Sequence, residues 1–232
     1  MNKVSKLITS VIAIMFLSAS SILANSGNFA GPYIGLMSSV NGVTFDATHN
    51  ATSGDITTGS AGKHAIIAGG EIGYVLPLGD YLLIDIGYTS VSGEAKLKTG
   101  SDRTTSPNSA DVTFTASDPE TIYISPTIAV SETSSFYFKY GETEADVSVT
   151  GTVTNPGDMK GDTYALGTRT VLSNGLYVRT EAGYSEFDKL TATGTAALDA
   201  DATGKTAGVN TSTTVTATPT IAYGLVSIGY KF

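Results

Sequence analysis

Seven charged residues stand at alternate positions in stretches otherwise built from apolar, glycine and hydroxyl side chains: Glu71, Asp85, Lys139, Arg169, Arg179, Glu181 and Lys231. Carried on one side of β-strands, they would share an enclosed space, and charge in such a space must be paired or hydrated. Two chemistries follow. The favoured one is a salt-bridge network that plugs the space; the other is a narrow polar pore. Catalytic candidates are weaker. His49 falls in a polar connection and His64 at a strand start, with no Ser or Asp at motif spacing to either. No catalytic residue is assigned, and an enzyme is not expected. The absence of cysteine removes disulfides, thiol catalysis and cysteine-ligated metals. Asp199-x-Asp201-x-Thr203-Gly204 has the spacing that opens a calcium loop, but the twelfth position is Asn210 rather than Glu, and no helices flank it. Neither metal nor cofactor is expected. Asn50-Ala51-Thr52 and Asn210-Thr211-Ser212 match glycosylation sequons by chance.

The chain's beginning sets its compartment. Lys3 and Lys6 precede a short apolar run from Leu7 to Leu17, and small residues then lead to Ala24. That order predicts a secretory signal peptide over 1–24, cleaved after Ala24, and a single domain over 25–232. The apolar run is too short for a comfortable membrane anchor, which needs about 20 residues. Of 232 residues, 13 are Lys or Arg and 21 are Asp or Glu, a net charge of −8. With no basic cluster, nucleic acid is not an expected partner. After residue 24 no run of 18 apolar residues occurs, which excludes a membrane-spanning helix but not a barrel of strands apolar on one face.

What must position the charges is a set of strands. Alternating segments run at about 31–45, 63–76, 81–93, 119–131, 135–149, 161–172, 175–188 and 213–232. Leu82, Ile84, Ile86 and Tyr88 oppose Asp85, Gly87 and Thr89; Ile122, Ile124, Ile128 and Val130 oppose Tyr123, Ser125 and Thr127. Phe136, Phe138 and Tyr140 oppose Lys139 and Gly141; Leu176, Val178 and Ala182 oppose Arg179 and Glu181. Three connections are tight and carry turn chemistry: Pro77-Leu78-Gly79-Asp80, Ser131-Glu132-Thr133-Ser134 and Ser173-Asn174-Gly175. Four are long and polar, at roughly 46–62, 94–118, 150–160 and 189–212. Long and tight connections alternate, the count that eight antiparallel strands in an up-and-down barrel require.

Two motifs add to this. Ile72-Gly73-Tyr74, Ile86-Gly87-Tyr88, Ala182-Gly183-Tyr184 and Ile228-Gly229-Tyr230 put the aliphatic and Tyr outward and Gly inward. Tyr74 and Tyr230 then fall near the tight-turn end and Tyr88 and Tyr184 toward the long-loop end, as two interface girdles. The last strand ends Val226, Ile228, Tyr230, Phe232 at alternate positions. This resembles the C-terminal strand of outer-membrane barrels, whose terminal aromatic is read by the barrel-assembly machinery. With Gly31-Pro32-Tyr33-Ile34-Gly35-Leu36 as first strand, residues 31–232 resemble the small eight-stranded opacity and surface-antigen porin family, related to the OmpA transmembrane domain. The chain departs from that family in having no Trp. Nothing follows Phe232, so the peptidoglycan-binding domain of full-length OmpA-type proteins is not expected.

The resemblance implies an eight-stranded antiparallel transmembrane β-barrel in the bacterial outer membrane, exported through the Sec pathway. Its role would be structural or surface-interacting. Its partners would be outer-membrane lipid, the barrel-assembly machinery during biogenesis, and an extracellular partner met through four polar loops. A small-solute pore is the runner-up, and a soluble secreted β-sandwich adhesin is a third reading.

Overall fold

The computed structural model describes residues 25–51, 56–99, 112–150, 154–197 and 210–232. The expected signal peptide and the Asp199–Gly204 run lie outside the described residues. Ten strand pieces follow one another: β1 Gly31–Ala51, β2 Ile56–Pro77, β3 Leu82–Ser92, β4 Glu94–Thr99, β5 Val112–Ala129, β6 Ser134–Thr150, β7 Met159–Val171, β8 Leu176–Phe187, β9 Leu190–Ala197 and β10 Asn210–Lys231. They make eight barrel strands. β3 and β4 are halves of one strand, both paired with β5, and β8 and β9 are halves of another, both paired with β10. All described pairings are antiparallel, and β1 pairs with β10, so the sheet closes on itself.

The interruption between β3 and β4 has a local cause. β5 carries a bulge between Ser117 and Glu120, where Asp118 takes a left-handed φ of 49° and Pro119 offers no backbone donor. Asp118 N–H donates to the Gly93 carbonyl at 3.0 Å, and Gly93 N–H donates to the Asp118 carboxylate at 3.2 Å. The tight turns close at the opposite end. Ser131 Oγ accepts from the Thr133 and Ser134 amides, Asn174 Oδ1 accepts from the Leu176 amide, and Gly175 supplies a φ of 84°.

The face pattern inverts along the barrel axis. In the half nearest the tight turns, apolar side chains point outward: Leu36, Ile66, Ile122 and Ile228 are 60–77% exposed. The opposite face carries buried Glu71, Asp85, Lys139, Arg169, Arg179 and Glu181. A contiguous apolar exterior around a charged interior is the arrangement of a barrel solvated by lipid, and the reverse of a soluble sandwich, whose core is apolar. The β-sandwich alternative is thereby overturned. From Leu176 to Tyr184 the band rises about 20 Å, taking strands tilted about 40°. Ile128 and Phe138 keep the outward parity but are almost covered, at 6% and 8% exposure. Both belong to a run of large outward side chains, Ile128 opposite Phe136 and Phe138 opposite Leu166 across the ladders.

Above Tyr140, Tyr164 and Tyr184 the polarity reverses. Glu142, Glu144, Asp146, Asp162 and Glu186 are now outside and exposed. Val43, Phe45, Ala145, Val147, Met159, Phe187 and Leu190 form a buried cluster inside. Much of three of the four expected long loops is therefore strand. β1 and β2 pair up to Asn50 and Ile56, β4 with β5 up to Thr99 and Val112, and β9 with β10 up to Ala197 and Asn210. Runs rich in Thr, Ser and Ala have the composition of loops, yet Thr and Val are also stiff β-branched residues that fit a pleated wall. Consequently His49 lies in β1 and His64, exposed, lies within β2 rather than at its start.

Candidate functional site

Inward-facing positions on five strands bring the charges together in the half of the barrel nearest the tight turns. β2 supplies Glu71, β3 Asp85, β6 Lys139, β7 Arg169, and β8 both Arg179 and Glu181. Arg179 is at the centre and wholly buried. Its Nη1 donates to Glu71 Oε2 at 2.9 Å and to Tyr123 Oη at 2.8 Å. Its Nη2 donates to Glu181 Oε2 at 2.8 Å, and its Nε to Tyr137 Oη at 2.7 Å. Lys139 Nζ completes Glu181 at 2.7 Å, and Tyr137 and Tyr223 hydroxyls donate to the same carboxylate at 2.8 Å. Glu71 also accepts from Tyr177 Oη and Ser227 Oγ, each at 2.7 Å. Nearer the tight turns, Arg169 Nη2 meets Asp85 Oδ2 at 2.9 Å, and its guanidinium lies over the Tyr33 ring at 4.2 Å.

Three carboxylates thus face three cations, and the network is neutral as a unit. Taking isolated charges out of water costs several kcal/mol each, so partners on every side are what make this interior tenable. Lys231 shares the inward parity but not the network. It stands two residues beyond Gly229, at the tight-turn mouth, where Nζ donates to the Ala30 carbonyl at 3.0 Å.

Sequence reasoning did not single out the five interior tyrosines, Tyr33, Tyr123, Tyr137, Tyr177 and Tyr223, which supply the network with hydroxyls. The inward glycines are their counterparts. A Cβ on Gly73 or Gly87 would overlap Tyr33 or Tyr123, one on Gly229 or Gly35 would overlap Tyr177, and one on Gly183 would overlap Tyr223. The signal was present: each of the five shares its strand's inward parity, the parity of the charged residues and of the Gly in the repeated Gly-Tyr motif.

The lumen is layered. At the tight-turn end Phe29, Tyr33, Val75, Leu83, Ala129, Val171 and Tyr177 form an apolar cluster. The charge network lies above it. Next comes a hydroxyl ladder running across β5, β6, β7 and β8, from Thr121 through Thr143 and Thr163 to Ser185, with links of 2.8, 2.5 and 2.7 Å. A cavity of about 50 Å³ sits here, bordered by Lys139, Glu181, Thr143 and Ser185, room for a few waters. The apolar cluster around Phe45 and Phe187 caps the column. Among the described residues no group of three or more His, Cys, Asp or Glu converges to hold a metal ion.

On the outside, Tyr74, Tyr184 and Tyr230 are 43–48% exposed and Tyr88 is half-buried. Tyr140 and Tyr164 extend the long-loop row, with rings 5.4 Å apart, and Tyr164 faces Tyr184 across the ladder. Just beyond it Tyr140 Oη donates to Asp162 at 3.0 Å. On the protruding wall, the hydrogen bond from Lys160 to Glu144, at 2.9 Å, raises the lysine above its ordinary range. Val226, Ile228, Tyr230 and Phe232 all face outward at the C-terminal end, and the Tyr230 and Phe232 rings meet edge to face at 5.1 Å.

No protein-family model matches the chain, and no curated protein matches it in sequence. Solved structures share the fold. Outer membrane protein OprG from Pseudomonas aeruginosa is 13% identical, with 90% of this chain and 99% of that chain covered at a TM-score of 0.50. Outer membrane protein AlkL, solved in lipid bilayers, is 14% identical over 92% of this chain and 95% of that one, TM-score 0.49. Ail, the attachment invasion locus protein of Yersinia pestis, is 9% identical over 82% and 98%, TM-score 0.36. At these identities the likeness is one of fold. The closed eight-stranded antiparallel barrel expected from the motifs is the architecture observed.

Proposed function

We propose that this chain is an outer-membrane barrel with a closed lumen, whose role is to hold the envelope and present a protruding β-wall, with its four connections, to the exterior. The observation that carries the reading is the network around Arg179. Its charges balance and lie buried, and the hydroxyls of Tyr123, Tyr137, Tyr177 and Tyr223 bond to them, which supports a plugged lumen rather than an open one. Bacterial outer-membrane location is supported by the outward apolar band and by the tyrosine rows at its two edges. Tyr74 and Tyr230 then anchor the periplasmic interface, and Tyr88 and Tyr184 the outer one. The strand ending Val226, Ile228, Tyr230 and Phe232 is the segment offered to the barrel-assembly machinery, after export under a signal peptide over 1–24. An extracellular partner would meet the acidic outer face of the wall. No catalysis is assigned.

A narrow solute pore is the second reading, favoured by the small polar cavity above the network. Planar-bilayer recording of the refolded protein separates the two. The closed reading expects no discrete conductance steps from wild type. Steps that change size when Arg179 or Glu181 is neutralised would install the pore reading instead.

A further inference from the structure

Residues Asn25–Ala30 are not part of the barrel wall. Ser26–Asn28 form a single 3-10 turn capped by the Asn25 side chain, which accepts from the Gly27 amide at 3.0 Å. This turn lies across the mouth at the tight-turn end. Ser26 N–H donates to the Asp80 carbonyl at 2.8 Å and its hydroxyl to the Gly79 carbonyl, both in the turn between β2 and β3. Asn28 Nδ2 donates to the Glu132 carbonyl at 2.9 Å, in the turn between β5 and β6. In the closed strand order β6 lies half the circumference away from β1. A segment that leaves β1 and touches the head of β6 therefore spans the opening. From its middle Phe29 points into the barrel, 1% exposed, within the cluster of Val75, Leu83, Ala129 and Val171. That cluster includes Tyr33 and Tyr177, the two rings that flank the Arg169 guanidinium.

We propose that Asn25–Ala30 is a seated lid: it closes the tight-turn mouth, and its lifting admits water and small solutes to the Arg169–Asp85 pair. Three features make it a lid rather than wall. It belongs to no ladder. Its hold on the far turns consists of a few bonds and one buried ring. Asn25, Gly27 and Asn28 are exposed to solvent. Short segments of this kind open locally at far lower free energy than the ladders around them. The group they uncover is also incompletely satisfied. Arg169 Nε is buried and has no protein partner, as has Ser125 Oγ across the ladder from Asp85, so entering water would find polar atoms ready to bind it.

The chain has no cysteine, so a single introduced thiol reports on the mouth. Ala129→Cys, inward in the cluster under Phe29, is compared with Ser173→Cys in an exposed turn, using the full chain in detergent and a small water-soluble methanethiosulfonate reagent. The thiol of Ala129→Cys is expected to react at least about tenfold more slowly than that of Ser173→Cys, and adding Phe29→Ala to erase most of that difference. Equal rates with Phe29 present, or slow labelling that Phe29→Ala leaves unchanged, would overturn the lid. Should Ala129→Cys not give the heat-shifted folded band, Val171→Cys in the same cluster repeats the measurement. Conductance reports on the network and thiol labelling on the mouth. A conducting wild type, together with a protected thiol in Ala129→Cys, would refute the closed-lumen reading and leave the lid standing.

Discussion

Replacing Arg179 by Met tests the network at its centre. The substitution conserves much of the side-chain volume but removes the donors that reach Glu71, Glu181, Tyr123 and Tyr137. Glu181 keeps Lys139. Glu71 keeps only the hydroxyls of Tyr177 and Ser227 and becomes an unpaired buried charge. Removing one partner of a buried pair costs about 3–5 kcal/mol, so Arg179→Met is expected to lose that much stability. Pairing it with Glu71→Gln removes the orphaned charge. The interior then holds Asp85 and Glu181 against Lys139 and Arg169, again balanced. The double variant should recover all but about 1–1.5 kcal/mol, giving a coupling energy well above the ~0.5 kcal/mol seen between independent sites. Urea unfolding in detergent, followed by the shift between folded and boiled bands on a cold gel, measures all four corners of the cycle. A loss below about 1 kcal/mol for Arg179→Met, or a double variant no better than the two singles added, would refute the claim that ion pairing organises this lumen.

Two further tests address the glycines and the girdles. Gly229→Ala pushes a methyl into the Tyr177 ring and is expected to cost about 1–3 kcal/mol. Gly224→Ala, on the same strand with nothing within 4 Å, should stay within ~0.5 kcal/mol; equal losses in the same urea titration would dissolve the socket argument. Because the chain lacks Trp, single Trp probes read depth without background. Tyr184→Trp should be quenched best by lipids brominated near the headgroup and Leu36→Trp by lipids brominated deep in the acyl chain. The same quenching profile for both would remove the girdle from the long-loop end.

The alternation that exposes one face to lipid was legible because period two is imposed by the backbone itself. It placed Glu71, Asp85, Lys139, Arg169, Arg179 and Glu181 inside without any knowledge of which strands meet. Which charge meets which was not legible. Arg179 and Glu71 are 108 positions apart and are joined only once the sheet has closed at a particular register. The protruding wall was misread for a different reason. Leu190–Ala197 has the composition of a loop, and only its pairing with β10 and the inward apolar column from the other strands show why it is extended. The lid escaped altogether, since Asn25–Ala30 carries no periodic pattern and its meaning lies in Gly79, Asp80 and Glu132.

The ladder between β1 and β10, running from Tyr33 opposite Lys231 to Ala51 opposite Thr213, has a consequence for the order of events in biogenesis. It joins the first and last of the described strands, so the sheet closes only when both are in place. Until β10 docks, β1 offers one whole side of unpaired amides and carbonyls to any extended chain nearby. Contacts of such sequence separation form slowly because the intervening chain must be ordered first. Once zipped, the same seam works in the opposite direction: with no frayed edge from which to start, unfolding must part a long ladder at once, and the native barrel is preserved by the slowness of its own opening.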